Sequence, residues 1–237
     1  MQLFVGTSGY SYKEWKGRFY PEKLPQRDML EYYSQRFSTV EANNTFRQMP
    51  SASVLKSWTQ QVPVGFRFAL KAPQTITHFK RLRNVGAATK DFFRAASVLK
   101  QHLGPVLFQL PPNFKKDLPR LRAFLRLVSK RRQVAFEFRH ASWFDDEVFG
   151  CLRARSCALC IADVDNAPRP PMISTARWGY LRLRRKRYTH PQLAEWIERI
   201  QSQPWNEAYV FFKHEETGTG PRFAKRFLDL AAGDSVR

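Results

Sequence analysis

Apolar and β-branched residues along this chain gather into short runs, and helical patterns fill most of the spaces between them. The strand-like runs are LFVG (3–6), TVEAN (39–43), FRFALK (66–71), PVLFQL (105–110), QVAFEFR (133–139), ALCIAD (158–163), YLRLR (180–184) and AYVFFKH (208–214). Among the intervening stretches, DMLEYYSQRF, SVLKSWTQQ, KDFFRAASVLKQHL, LPRLRAFLRLVSK, DDEVFGCLRAR, PQLAEWIERIQ and PRFAKRFLDLAA space their apolar residues as amphipathic helices do. Strand–helix alternation with gaps long enough for crossovers predicts a parallel sheet. Eight such units predict closure into one (β/α)8 barrel spanning the chain. NAPRPP, between Val164 and Gly179, forbids a regular helix, so the helix after the sixth strand is expected to be missing or replaced by a loop. An open doubly wound sheet is the alternative architecture, but no G-x-G-x-x-G turn supports it.

Side chains alternate along a strand, so residues two apart share a face. That rule pairs Glu137 with Arg139, Glu41 with Asn43 and Arg182 with Arg184. Lys71, Gln109, Asp163 and either Lys213 or His214 close their own runs. In a barrel all these ends meet at one mouth, where catalytic groups of this architecture sit. Strands that merely turn polar as they surface would end in the same way. They would not place a carboxylate and a guanidinium two residues apart on one face. The inward set expected is Glu41, Lys71, Glu137, Arg139, Asp163, Arg182, Arg184 and Lys213, a mouth with more cations than carboxylates.

Composition narrows the picture. The 237 residues are 43% hydrophobic and 14% aromatic, which supports a packed core and argues against disorder. No apolar run is long enough to cross a membrane, and MQLFVGTSGY lacks the basic and apolar stretches of a signal peptide. Cys151, Cys157 and Cys160 are odd in number, and the C-x-x-C lies inside the apolar run CALCIAD, which suits buried, inert thiols better than a redox or zinc motif. A reducing cytoplasmic location is therefore expected. Forty Lys and Arg stand against 20 Asp and Glu, a formal charge of +20, partly gathered in KRLR, RLRAFLR, KRR and RRKR. Such a field attracts polyanions and steers anionic ligands, although solvated helix faces account for part of it.

Several segments resemble a known family. GTSGYSYKEWKGRFYP (6–21), VEANNTFRQMPS (40–51), FALKAPQTITH (68–78), LFQLPPNF (107–114), FEFRHASWF (136–144) and KHEETGTGP (213–221) are similar to the domain of unknown function 72 family, over nearly the whole chain. The resemblance implies a (β/α)8 barrel and no established activity. It maps recurring polar positions onto Tyr10, Glu41, Asn43, Lys71, His78, Gln109, Glu137, Arg139, Asp163 and Arg182. Two departures make this mouth more basic: Arg184 and Arg185 replace a His-Gly, and Lys213 and His214 replace paired asparagines.

Guanidinium forks bind phosphate and carboxylate bidentately, so a phosphate, phosphodiester or polycarboxylate is the ligand class expected. Glu41 and Glu137 are the candidate acid/base pair, and Lys71 is a candidate proton-transfer or Schiff-base amine with a depressed pKa. Tyr10, Asn43, His78, Gln109, Arg139, Asp163, Arg182, Arg184, Lys213 and His214 are the candidate substrate contacts. A divalent metal is disfavoured, because only three carboxylates and one or two histidines compete with many cations. These features predict a hydrolase or lyase acting on an anionic, phosphate-bearing molecule. The alternatives are a nucleic-acid-binding protein, catalytic as a nuclease or not, and a non-catalytic scaffold. No membrane or protein partner is implied.

Overall fold

The computed structural model describes residues 1–165, 167–168, 170–213 and 218–233. Each apolar run forms a strand: β1 Gln2–Thr7, β2 Thr39–Ala42, β3 Arg67–Lys71, β4 Leu103–Gln109, β5 Val134–Glu137, β6 Ala158–Asp163, β7 Trp178–Leu183 and β8 Glu207–Phe212. They pair in parallel, in the order β1-β8-β7-β6-β5-β4-β3-β2. All eight point the same way, so the barrel has a single mouth at their C-terminal ends.

The ring closes at its upper edge. Ser8 and Glu41 form a parallel bridge between the ends of β1 and β2, and the Gly9 amide donates to the Glu41 carbonyl at 2.8 Å. Lower down, the two strands are linked through a side chain. The buried Tyr33 hydroxyl accepts from the Thr7 amide at 2.7 Å and donates to the Thr39 carbonyl at 3.1 Å. Gly6 belongs to this seam, since a Cβ there would lie 1.9 Å from the Thr39 oxygen.

Alternation sorts the core into two parts. Val5, Val40, Phe68, Phe108, Phe136 and Leu181 face outward and pack under the helices. Phe4, Ala69, Leu107, Cys160, Tyr180 and Tyr209 belong to a separate cluster that fills the barrel interior, where Phe4 stacks on Tyr209 with ring centroids 4.6 Å apart. Cys157 and Cys160 are buried free thiols, and burial pushes the Cys157 thiol up to about 12.

The helices are α1 Met29–Ser34, α2 Ala52–Gln60, α3 Gly86–Ala96, α4 Leu118–Leu127, α5 Asp146–Ala154, α6 His190–Gln201 and α7 Thr219–Ala231. Side-chain caps mark several starts, among them Ser51, Asp117, Asp145 and a capping box of Thr189 with Gln192, each contributing about 1 kcal/mol. The stretch expected as one helix from Lys90 to Leu103 divides. α3 starts earlier, at Gly86, and ends at Ala96; a 3-10 segment follows, in which Lys100 takes φ 49° and turns the chain into β4.

Between β6 and β7 the described residues form no helix, as the proline-rich segment required. Thr175 ties that connection to the strand, its hydroxyl accepting from the Leu159 amide and donating to the Cys157 carbonyl, both at 2.8 Å. No helix among the described residues is long and apolar enough to cross a membrane.

Candidate active site

Directly above the aromatic interior, the next inward positions change from apolar to charged. Glu41 from β2, Glu137 from β5 and Arg182 from β7 are all within 2% of full burial. Arg182 lies between the two carboxylates. Its Nη2 donates to Glu41 Oε1 at 2.8 Å and its Nη1 to Glu137 Oε2 at 2.5 Å. Other donors complete each carboxylate. Glu41 also accepts from Ser8 Oγ at 2.9 Å and from the Tyr180 hydroxyl at 2.7 Å. Glu137 also accepts from Gln109 Nε2 at 2.8 Å, and Arg139 Nε stands 3.4 Å from the same oxygen. Arg182 Nε, in contrast to its two terminal nitrogens, is buried with no hydrogen-bond partner among the described residues.

This network fixes the charges. Burial pushes the Glu41 carboxyl up, but Arg182, Arg184 and the Tyr180 hydrogen bond outweigh it and hold the group at about 2. Glu137 is likewise lowered: burial opposes ionisation, and Arg182 with Arg139 overcomes it. Burial would lower Arg182, yet the two carboxylates raise it well above its ordinary value. Both glutamates are thus anions committed to one guanidinium.

Around this layer stands a rim of cations. Lys71, at the end of β3, lies 3.8 Å above the centroid of the Phe46 ring. Burial, then Arg182, pulls its ammonium down to about 8, against the opposing pull of Glu41 and Glu137. Arg184 is lowered to about 10, first by burial and then by Arg182, and its Nη1 reaches Ser8 Oγ at 3.4 Å. His78 sits on a π-helical turn, Thr75–Phe79, edge-on to Phe46 and bonded through Nδ1 to Thr77 Oγ1 at 2.9 Å. Burial, Lys71 and Arg139 lower its pKa. Arg139 lies two residues past the end of β5 and is 41% exposed. Lys71, Arg139 and Arg184 join Arg182 against two carboxylates, an excess of positive charge over an otherwise satisfied buried layer.

Most of the residues expected at the mouth converge there, but not all. Asp163 does not belong to the inward set. It shares the outer face of β6 with Leu159 and Ile161, where Arg185 Nη2 meets it at 2.7 Å and the Tyr188 hydroxyl donates to it at 3.0 Å. Arg184 and Arg185 therefore point to opposite sides of the sheet. Tyr10 turns its ring toward Tyr33 and the outer core, and burial raises its hydroxyl to about 12. Asn43 follows β2 and begins a 3-10 turn that carries Phe46. Lys213 follows β8, its amide donating to the Leu183 carbonyl at 3.1 Å, while His214 lies outside the described residues.

Some participants were not anticipated. Tyr180 is two residues before Arg182 on the same inward face, a spacing that marks it. Phe46 reaches Lys71 from a different loop, and no local pattern signals that contact. Among the described residues no three His, Cys, Asp or Glu side chains gather as a metal site. The space between Glu41 and Glu137 is taken by Arg182.

Comparison with other proteins places this site in context. A family model described as "Protein of unknown function DUF72" matches residues 4–236. The UPF0759 protein YecE of Escherichia coli K12 is 34% identical over 116 residues, 48% of this chain and 43% of that protein. The UPF0759 protein YunF of Bacillus subtilis is 28% identical over 151 residues, 60% of this chain and 52% of that protein. The matches thus span about half the length of these curated relatives. A crystal structure of a DUF72 family protein from Thermotoga maritima superposes with a TM-score of 0.86 at 27% identity, covering 98% of this chain and 100% of the other. One from Enterococcus faecalis gives 0.82 at 17% identity, covering 98% and 96%, a likeness of fold.

Proposed function

Given that the chain belongs to the DUF72 family, proteins of unknown function, we propose that its barrel mouth binds an anionic, phosphate-bearing substrate and acts on it as a hydrolase or lyase. The observation that carries this reading is the uncompensated charge of the rim. Lys71, Arg139 and Arg184 surround a layer whose two carboxylates are already bound by Arg182. Gathering cations in a partly buried site costs free energy, and an anion offsets that cost.

The roles divide accordingly. Glu41 and Glu137 hold Arg182 and Ser8 in place rather than exchanging protons, because their oxygens are occupied by donors and both pKa values are lowered. Arg139 and Arg184 clamp the anion. Lys71, near 8, is mostly protonated at neutral pH and able to release its proton, as an acid assisting a departing oxygen must be. His78 is a second proton carrier beside it.

The test uses sulfate, which does not titrate in the range of interest, followed by calorimetry. Below pH 8 Lys71 is charged and sulfate binds; affinity should fall as the pH rises through about 8. Lys71→Met should lower affinity about tenfold at pH 7, the loss of one close ionic contact, and erase that step. Arg139→Ala should weaken binding without affecting folding. Equal affinities in all three proteins would refute the assignment.

A further inference from the structure

Away from the mouth, two grooves of the described surface lie along α7. The first, about 740 Å³, runs between α7 and the β1–α1 region and carries Arg18, Arg36, Arg222 and Lys225 over a floor that includes Phe19, Phe37 and Leu228. The second, about 710 Å³, lies between α7 and the loop after β7 and carries Lys186, Arg187, Arg222 and Arg226. Arg222 and Thr219 line both, so the two adjoin along α7 as a trough divided by these residues.

Its charge is one-sided. Asp229 is the only carboxylate among the described lining residues, and Lys225 holds it at 2.8 Å. Glu215 and Glu216, in the sequence ahead of α7, lie outside the described residues. Arg222, Lys225 and Arg226 fall three and four residues apart on the outward face of α7, and all three are exposed. Like charges at that spacing cost an isolated helix a few tenths of a kcal/mol each, and nothing in the packing of α7 requires them. On α7 itself Lys225 has such a partner in Asp229, as Arg94 has in Asp91 and Arg199 in Glu195, whereas no ion pair is present for Arg222 or Arg226 among the described residues.

We propose that this trough is a binding site for the phosphodiester backbone of an RNA or DNA strand. A row of exposed cations along a groove neutralises successive phosphates without reading sequence, whereas a single small anion needs converging donors. The partly apolar floor gives an unpaired strand a surface to lie on. This site is separate from the mouth cluster, with which it shares no residue, and the two readings are independent.

The test is fluorescence anisotropy with labelled twelve-residue oligo(U) and oligo(dT) on the whole chain. About five phosphate contacts with a single strand would weaken binding roughly a hundredfold between 50 and 200 mM salt. Substituting Arg187, Arg222 and Arg226 together by alanine should reduce affinity at least tenfold and flatten the salt dependence, with sulfate binding at the mouth unchanged. A control that removes the same charge elsewhere, Lys130→Ala with Arg131→Ala and Arg132→Ala, should retain affinity within twofold. An equal loss in both triple variants would overturn the proposal in favour of undirected charge. So would a mononucleotide binding as tightly as the twelve-residue strand. If Lys71→Met leaves sulfate binding unchanged while the Arg187, Arg222 and Arg226 variant loses oligonucleotide affinity, the trough stands without the mouth; if Lys71→Met weakens sulfate binding while that triple variant keeps its oligonucleotide affinity, the mouth stands without the trough.

Discussion

The lower and upper halves of the barrel interior are built from the same strands at alternating positions, yet they hold opposite chemistry. Below, Phe4, Trp178, Tyr180, Tyr209 and Phe211 fill the space with rings. Above, Glu41, Glu137 and Arg182 fill it with three charges buried as deeply as the rings. Ring packing stabilises the fold through area removed from water, roughly 25 cal/mol per Å². A buried ion cluster gives no such return, since desolvation consumes much of its Coulomb attraction. The difference teaches that the upper layer is maintained for what it positions, at some expense to stability.

The sharpest way to break this comparison is to remove one charge. Glu137→Gln, leaving Arg182 half-compensated, should cost about 3–5 kcal/mol in urea unfolding. A cost near that of a surface ion pair would show the layer to be solvated instead. The same dependence should appear in acid. Because the folded Glu41 is held at about 2, its contribution is present above its ordinary value and is lost as the pH falls from about 4.5 through 2.

A smaller effect of opposite sign should follow from replacing the whole layer. Glu41→Leu, Glu137→Leu and Arg182→Met together should leave stability unchanged or raise it by about 1–4 kcal/mol, while sulfate binding disappears. Loss of folding in this triple variant would mean that the charges hold the barrel together. Smallest of all, Asp163→Asn on the outer face should cost about 1 kcal/mol by weakening the contacts to Arg185 and Tyr188, with sulfate affinity unaffected.

The barrel was legible because apolar runs and helical spacings alternate along the whole chain, and because NAPRPP excluded one helix. Strand ends were legible where alternation is visible, as in VAFEFR, which puts Glu137 inward. Asp163 was misplaced for a physical reason. ALCI is buried on both faces, so no polar residue marks inside from outside, and the final position could be assigned to either. The commitment of both glutamates to Arg182 depends on contacts between strands about 45 and 141 residues apart, which no local pattern encodes. The α7 stripe shows the opposite case: its spacing is plain in PRFAKRF, but only the neighbouring loops turn it into a trough.

The Tyr33 hydroxyl between β1 and β2 makes the barrel a split ring fastened by a phenol. Its Thr7 amide bonds to a side chain where a strand partner would be expected, so this staple and the Ser8–Glu41 bridge above it together hold the wall shut. Because Glu41 sits on the strand beside that fastening, loosening the ring also loosens the grip on Arg182: the hinge of the scaffold and the anchor of its charge are one piece of architecture.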